Sequence, residues 1–344
     1  MKEFNIAVVP GDGVGREVVA AACQALEEAQ QAAGGFRLIF KEYSVGKQAY
    51  DSCGIVLPEE SLCGMRQSAA TLLGALSAEL VPPPSPTGQL RTKLELFADI
   101  RPIRSFRGAW SLRPDIDIVC IRENTQGFLA DRNLFKGYGE FMPTEDVVMS
   151  VRVLARKNCE RIARYAFEYA RAHKRKKVTV AHKANVLHLG CGFFLGIVRE
   201  IAAEFADITL DDDYVDNIAN TLISAPDKYD VLLATNLFGD ILSDEAAALV
   251  SNLVPTANIG PEAAVFRPIH EARLKEAGQN ITNPLSAILC GSMMLRYLGE
   301  AAAAQLIENA VEEVLVQGRV RPRELGGESL LSEITNAVCE KIRR

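Results

Sequence analysis

The sequence predicts an α/β fold of about two domains, and two observations support this. The chain has 344 residues, and with typical domains of about 150 residues this length predicts two. Short apolar runs typical of buried strands alternate with helical patterns along most of the chain. The proline-rich segment 81–88 is too short for a domain linker, so we interpret it as a loop over a pocket.

The first elements have the clearest patterns. Phe4–Val9 resembles a buried strand, and a turn over Pro10–Gly15 follows it. A helix then places Val18, Ala22 and Ala25 on one face and ends at a pair of glycines. Further strands are predicted, in chain order, at Arg37–Tyr43, Ile116–Ile121, Val147–Arg152, Lys177–Ala181 and Asp230–Leu233.

The composition narrows the range of partners and of cellular locations. A net charge of −6 argues against nucleic acid or an anionic membrane surface as a partner. The sequence contains no run of 18 apolar residues, so we expect no membrane span. The N-terminal residues resemble a strand and turn, not a signal peptide. The eight cysteines include no C-x-x-C pair, so we expect reduced thiols in a cytoplasmic protein.

Two aspartates in the segment N-L-F-G-D-I-L-S-D are candidate metal ligands. Asp240 and Asp244 lie four residues apart in a helical pattern, so both carboxylates project from the same face. Ligand sets made only of oxygen atoms suit Mg²⁺ or Mn²⁺ better than zinc. Such pairs are also common at solvated acidic helix starts, and this second interpretation is favoured when the pair is taken alone.

Three arginines form a second candidate group. Arg91, Arg101 and Arg122 lie near predicted strand ends, where guanidinium groups suit a substrate that carries more than one carboxylate. For any one of these arginines, a surface salt bridge to an acidic neighbour is the better interpretation. Those neighbours are Glu95, Asp99 and Glu123.

The segment A-H-K-A-N contains a candidate general base. Lys183 follows a predicted strand, and beside a metal ion its pKa would fall far enough for proton transfer. His182 and His188 lack the spacing of metal ligands, so we expect both rings to be packed or hydrogen-bonded. The first turn, P-G-D-G-V-G, has G-x-G-x-G in place of the dinucleotide-binding G-x-G-x-x-G and is a weak Rossmann signal.

These motifs occur together, in one order, in a known family. The sequence resembles the β-decarboxylating dehydrogenases, which include isopropylmalate, isocitrate, homoisocitrate and tartrate dehydrogenases. The resemblance runs through V-P-G-D-G-V-G-R-E-V, L-R-T-K-L-E-L-F-A-D-I-R-P, I-R-E-N-T-Q-G, H-K-A-N-V-L, Y-V-D-N, T-N-L-F-G-D-I-L-S-D and N-I-T-N-P. It implies a fold that is not Rossmann. An open-sheet domain on the cofactor side is formed by residues 1–100 and 252–344, and a substrate, metal and dimerisation domain is inserted at 101–251.

The resemblance also implies a role for each matching residue. Lys183 is the catalytic lysine, and Asp240 and Asp244 bind Mg²⁺ or Mn²⁺ with Asp216 of the partner subunit. The substrate would be bound by Arg91, Arg101, Arg122 and Thr87, and the cofactor by Asn185, His270, Lys275, Gly278 and Asn283. The implied protein is a homodimer with a shared active site. It would oxidise and decarboxylate a small 2-hydroxy acid with NAD or NADP.

Two departures from the family pattern concern the chemistry. Leu129 occupies the position of the family tyrosine that protonates the enol carbon, so Tyr138 is our hypothesis for a substitute. Lys275 replaces the aspartate that contacts the adenosine ribose in NAD-dependent members, and it could instead meet the 2′-phosphate of NADP. Arg321 or Arg323 could assist Lys275, whereas Glu276 could take over the ribose contact. The sequence leaves both cofactors open.

A third departure concerns the substituent at C3 of the substrate. Isopropylmalate dehydrogenases carry leucines near the positions that match Ser85, Thr87 and Gly88, so this chain favours a small or polar substituent. The form R-E-N-T is that of isocitrate, homoisocitrate and tartrate dehydrogenases. The alternatives are 3-isopropylmalate dehydrogenase of leucine biosynthesis and a non-catalytic regulatory subunit of a hetero-oligomeric isocitrate dehydrogenase. A non-enzymatic ligand sensor has no positive support in the sequence.

Overall fold

The fold was analysed in a computed structural model, which describes residues 1–128 and 139–344. The strands are β1 Lys2–Val9, β2 Phe36–Glu42, β3 Ala70–Leu73, β4 Ala98–Arg104, β5 Asp117–Glu123, β6 Glu140–Thr144, β7 Val147–Ser150, β8 Lys177–His182, β9 Thr209–Tyr214, β10 Val231–Ala234, β11 Pro255–Ile259 and β12 Ala264–Pro268. The helices are α1 Gly15–Ala33, α2 Lys47–Cys53, α3 Glu59–Gln67, α4 Pro86–Lys93, α5 Arg156–Ala172, α6 His188–Ala202, α7 Val215–Ser224, α8 Asn236–Ala248, α9 Leu285–Tyr297, α10 Ala301–Gln317 and α11 Leu331–Ile342.

The predicted α/β class is confirmed, and the chain divides into two compact units. The first unit comprises Met1–Leu94, Ser105–Pro114 and Val250–Arg344. The second unit comprises Glu95–Arg104 and Asp115–Leu249. No helix in the described part of the chain is long and apolar enough to cross a membrane.

The first unit has a mixed sheet with strand order β2-β1-β3-β12-β11. Strand β1 is parallel to both β2 and β3, whereas β11 and β12 form an antiparallel pair. Helix α1 buries the predicted face of Val18, Ala22 and Ala25, and it ends at Gly34, whose φ of 66° suits glycine. Helix α9 packs on α1, α10 and the strand pair, so it is buried on nearly all sides.

The second unit has a sheet with strand order β4-β5-β10-β8-β9. Strands β5, β10, β8 and β9 run parallel, and β4 is antiparallel to β5. Near-continuous apolar runs such as Val231–Ala234 are typical of parallel strands covered on both faces. Phe167 of α5 is fully buried and stacks on Phe205 with ring centroids 5.2 Å apart, a burial that contributes about 1.5–3 kcal/mol.

Strands β6 and β7 form a separate antiparallel hairpin in the second unit. Every residue of both strands is exposed, including Phe141, Met142 and Val148. Isolated two-stranded hairpins are marginally stable in water, and exposed apolar patches are typical of interaction surfaces.

Gly239 of α8 allows the helix to lie directly against β5. A β-carbon at Gly239 would lie 2.8 Å from both Cβ and Cγ of Arg122, closer than real atoms approach. Any larger residue would therefore push α8 away from the strand that carries this arginine.

We therefore expect Gly239→Ala to lower the free energy of unfolding by about 1–3 kcal/mol through overpacking. The matched control is Gly196→Ala in α6, where an added β-carbon meets open space. There the higher helix propensity of alanine should raise stability by about 0.5–1 kcal/mol. Urea denaturation of both variants measures the difference, and equal stabilities would contradict the packing argument.

Candidate active site

The candidate site lies at the carboxyl-terminal edge of the parallel strands in the second unit. Arg122 is the penultimate residue of β5, and Asn236 follows β10. Lys183 follows β8, and Asp216 comes shortly after β9. The carboxyl ends of parallel strands meet at one edge of a sheet, which is the usual ligand position in open α/β sheets. Residues far apart in the sequence are therefore brought to one edge.

Two arginines and three aspartates form what we call the arginine–carboxylate cluster: Asp99, Arg101, Arg122, Asp240 and Asp244. Arg101 Nη2 lies 3.2 Å from Asp99 Oδ2 and 3.5 Å from Asp240 Oδ1, and Arg101 Nη1 donates to Asp244. Arg122 Nη1 donates to Asp240 and lies 3.8 Å from Asp99 Oδ2. The structure thus places four predicted site residues in one cluster.

Burial makes this cluster electrostatically strong. Asp99 is 1% exposed and Arg122 is 3% exposed, so each charge depends on its partners in place of water. Burial opposes the charge on Arg101, but Asp99, Asp244 and Asp240 outweigh it and raise the pKa of this guanidinium. Burial lowers the pKa of Arg122, and the neighbouring carboxylates offset that effect only in part. Both arginines stay charged at neutral pH because guanidinium does not deprotonate in proteins.

The buried Asn236 holds Arg122 in place, and the buried Glu123 orders the turn that follows. Asn236 Oδ1 accepts from Nε of Arg122 at 3.1 Å and from Nη2 at 2.6 Å, and Asn236 Nδ2 donates to the Gln126 carbonyl at 2.8 Å. Glu123 accepts from the backbone N–H groups of Thr125 and Gln126 and so closes the turn after β5. Burial, the largest influence on Glu123, raises the pKa of this carboxyl despite those hydrogen bonds.

The donor set at Asp240 and Asp244 fits a hard divalent cation. Both carboxylates lie on one face of α8, with side chains 46% and 68% exposed, and all three of their contacts with Arg101 and Arg122 use Oδ1. No group of three His, Cys, Asp or Glu residues that could hold a metal ion occurs within residues 1–128 and 139–344. The described chain thus offers two oxygen ligands on one side of a cation and leaves its remaining coordination positions open.

Lys183 and Asp216 form a separate ion pair at the same sheet edge. Lys183 Nζ donates to Asp216 Oδ1 and lies 5.5 Å from the centre of the Tyr214 ring. The hydrogen bond from Lys183 lowers the pKa of Asp216, so that carboxyl stays ionised. Strand β10 separates β8 from β5, so within one chain this pair lies about 10 Å to the side of Arg122.

The other predicted substrate residues belong to the first unit. Arg91 lies in the last turn of α4 and Thr87 in its first turn. Ser85 is the N-cap of the helix, and its hydroxyl accepts from the backbone N–H of Gly88 at 3.1 Å. The Ser85 hydroxyl thus caps the helix, and Thr87 is the other polar side chain of the predicted arm-binding set.

Four predicted cofactor residues share the loop between β12 and α9. Asn283 Oδ1 accepts from the Leu285 N–H at 3.0 Å, and Gly278 donates its N–H to Glu17. Burial lowers the pKa of His270, and its Nε2 is buried without a hydrogen-bond partner in the described chain. Such an orphaned ring nitrogen fits a ligand that supplies the missing bond. Lys275, the fourth residue, is exposed.

A cavity of about 870 Å³ in the first unit opens beside this loop. It is lined by the first turn of the chain, by the start of α1 and by residues of the loop, including Gly13, Glu17 and Gly278. The remaining predicted cofactor residue, Asn185, follows β8 in the second unit. Leu129 and Tyr138, which carry the question of the final proton donor, lie outside the described residues.

The sequence interpretation missed two buried members of the site. Asp99 appeared only as a surface partner of an arginine, yet it is buried and contacts both Arg101 and Arg122. Residues two apart on a strand point to the same face, so the Asp99–Arg101 spacing in β4 contained this signal. No sequence pattern pointed to Asn236, because its contact with Arg122 depends on β5 and β10 being neighbours in the sheet.

Comparisons with known proteins identify the family of the chain. A family model described as isocitrate/isopropylmalate dehydrogenase matches residues 5–342. The 3-isopropylmalate/3-methylmalate dehydrogenase of Methanocaldococcus jannaschii is 41% identical over 348 residues, covering 98% of this chain and 99% of that protein. The isocitrate/homoisocitrate dehydrogenase of Thermus thermophilus is 40% identical over 345 residues and 99% of each chain.

A solved structure gives the same result for the fold. The crystal structure of isocitrate dehydrogenase from Methylococcus capsulatus has a TM-score of 0.90 and 38% identity, covering 99% of this chain and 100% of that chain. The resemblance inferred from the motifs is confirmed, and the chain belongs to the isocitrate/isopropylmalate dehydrogenase family.

Proposed function

We propose that this enzyme catalyses the NAD(P)-dependent oxidative decarboxylation of a 3-substituted malate to a 2-oxo acid. The observation that carries the proposal is the arginine–carboxylate cluster, which presents two guanidinium groups beside two exposed metal-type carboxylates. A substrate with two or more carboxylates and a neighbouring hydroxyl matches that pairing of cationic and metal-binding groups.

On substrate binding, the arginines would exchange the carboxylates of Asp240 and Asp244 for those of the substrate. Arg101 and Arg122 are already oriented by Asp99 and Asn236, so they lose little conformational freedom when a substrate carboxylate arrives. Once the arginines held the substrate, Asp240 and Asp244 would be available to hold a cation. Arg91 from α4 is the third proposed carboxylate ligand.

Asp240 and Asp244 are the proposed ligands for Mg²⁺ or Mn²⁺, with Asp216 of the partner subunit as a third. The bound cation supplies Lewis-acid chemistry, which makes a coordinated hydroxyl more acidic and stabilises negative charge on oxygen. A bound nicotinamide cofactor would supply the acceptor for the hydride of C2. Lys183, once its ammonium has lost a proton to solvent, would take the hydroxyl proton at Nζ, and the ionised Asp216 beside it would hold the ammonium that forms again.

The substituent at C3 separates two candidate substrates. Thr87 and the R-E-N-T segment favour a small or polar substituent, as in an isocitrate-, homoisocitrate- or tartrate-like acid. The second candidate is 3-isopropylmalate, because a relative named 3-isopropylmalate/3-methylmalate dehydrogenase is 41% identical over 98% of this chain.

A panel of 3-substituted malates, assayed on the purified chain with both cofactors and Mg²⁺, tests the proposal. We expect reduced cofactor and CO₂ in equal amounts, and loss of both when EDTA removes the metal. Asp240→Asn should lower kcat by about 100-fold or more because it weakens the cation site. The matched control is Asp227→Asn, since Asp227 belongs to a short 3₁₀ helix outside the cluster.

Activity of the chain alone would exclude the regulatory-subunit alternative. Turnover that is fastest with 3-isopropylmalate would select the second candidate substrate. Absence of turnover with every acid and both cofactors would contradict the proposed function.

For the cofactor, the loop geometry favours NADP. Glu276 accepts from Thr282 at 3.2 Å and lies 3.6 Å from Arg273, so its carboxylate is engaged within the loop. The ammonium group of Lys275 is exposed and has no ion-pair partner in the described chain. An unpaired cation at this position suits a 2′-phosphate better than two ribose hydroxyls.

We therefore expect a lower KM for NADP than for NAD. Lys275→Asp should raise the KM for NADP about 10- to 100-fold, the range for losing a charge-assisted hydrogen bond and adding a like charge. The change in KM for NAD should be much smaller. Lys157→Asp, on the exposed side of α5, is the matched control. A wild-type preference for NAD would refute the role of Lys275.

The active unit is proposed to be a homodimer. Within one chain, the Lys183–Asp216 pair lies to the side of the arginine–carboxylate cluster, so a second copy can supply the missing groups to each site. Exposed apolar side chains lie on the helices that follow β8 and β10, including Leu237 and Ile241 on α8 and Leu189 on α6. Apolar exposure of this kind, with the hairpin of β6 and β7, is typical of a subunit interface.

Complementation between two inactive variants tests the shared site. Asp240→Asn and Lys183→Ala should each be inactive alone, whereas subunit exchange should restore about one quarter of wild-type activity. Half of the dimers are then mixed, and each mixed dimer holds one intact site. If Asp240 and Lys183 of the same chain formed one site, the mixture would stay inactive.

A further inference from the structure

His182 ends β8 and directly precedes the proposed catalytic lysine. Its ring is 4% exposed, and its Nε2 lies 3.1 Å from Asp212 Oδ2. The backbone N–H of Ala184 donates to its Nδ1 at 3.1 Å. Because Nδ1 accepts a hydrogen bond, the ring proton sits on Nε2 and is donated to Asp212, so both nitrogens are satisfied in one neutral tautomer.

Asp212 is itself held on its second oxygen. Arg199 Nη2 donates to Asp212 Oδ1 at 2.9 Å, while His182 uses Oδ2. Burial opposes ionisation of Asp212, but the hydrogen bonds from Arg199 and His182 outweigh it and lower the pKa of this carboxyl. The carboxylate therefore anchors the plane of the imidazole ring.

The anchored ring restrains the segment that carries Lys183. The Ala184 hydrogen bond spans Lys183, so it sets the backbone on both sides of the lysine and directs the chain toward Asn185. The ring also contacts Tyr214 edge-on at 5.3 Å, and Lys183 Nζ lies 5.5 Å from the centre of the same Tyr214 ring. One buried side chain thus contacts both the backbone and the aromatic surface beside the ammonium group.

We propose that His182, held by Asp212, is a positioning residue that sets the direction of Lys183 and, through Ala184, of Asn185. The inference rests on the proposed role of Lys183 as the group that takes the hydroxyl proton. A buried histidine that only filled space would not require the Nδ1 contact to Ala184. The positioning role depends on that contact, so the two nitrogens can be tested separately.

Two substitutions separate the functions of the ring nitrogens. His182→Asn keeps an acceptor near the position of Nδ1 and loses the donor to Asp212. His182→Gln keeps a donor near the position of Nε2 and loses the acceptor for Ala184. We expect His182→Gln to lower kcat about 10- to 100-fold with little change in KM, since small displacements of a catalytic group cost about that much. His182→Asn should recover most of the lost kcat.

A second readout does not require turnover. Reductive methylation with ¹³C-formaldehyde places an NMR label on lysine amines, and the Lys183 signal is identified by its loss in Lys183→Arg. The Lys183 signal should shift or broaden in His182→Gln and stay near its wild-type position in His182→Asn. His173→Gln, at the exposed end of α5, is the control. Melting temperatures of all variants show whether packing has changed.

The outcomes separate the two proposals. Equal kcat in the wild type and in His182→Gln would overturn the positioning role. Equal losses in kcat, KM and melting temperature for both substitutions would also overturn it, because that pattern indicates packing alone. If the wild type showed no turnover, the proposed function would fail, and the Lys183 signal in the two variants would still decide whether His182 positions that residue.

Discussion

The structure depends on the charge balance between two buried arginines and a buried aspartate at the edge of one sheet. Arg101 and Arg122 are almost fully enclosed, and Asp99 between them is the carboxylate that does not reach solvent. Removing one member of a buried ion pair leaves an uncompensated charge, which costs about 3–5 kcal/mol. Asp99 therefore lets the protein keep two guanidinium groups in place before any substrate arrives.

The strand order brings the residues of the candidate site together. Antiparallel pairing of β4 with β5 sets Asp99 opposite Arg122, and Arg101 follows two residues later on the same face. Strand β10 then places Asn236 and α8 beside β5, which brings Asp240 and Asp244 to the arginines. Gly239 allows the close approach that these contacts require.

The same topology separates the lysine from the carboxylates. One strand lies between β5 and β8, so within one chain the Lys183–Asp216 pair lies to the side of the arginine–carboxylate cluster. The proposed dimer follows from this separation. In the proposed dimer, a lysine that served a site in another copy would be held in place by its own chain through His182.

The sequence alone determined the α/β class, the family and the acidic, arginine and lysine motifs, because these depend on local periodicity and on residue order. Asp240 and Asp244 could be paired from their spacing, since i,i+4 positions share a helix face in any helix. Tertiary structure alone decided that Asp99 and Asn236 join them, since β4, β5 and β10 become neighbours only in the folded sheet. It also decided that Ser85 caps α4 and that the His182 ring accepts a hydrogen bond from the Ala184 N–H. Hydrogen-bond geometry depends on backbone directions that residue identity does not encode.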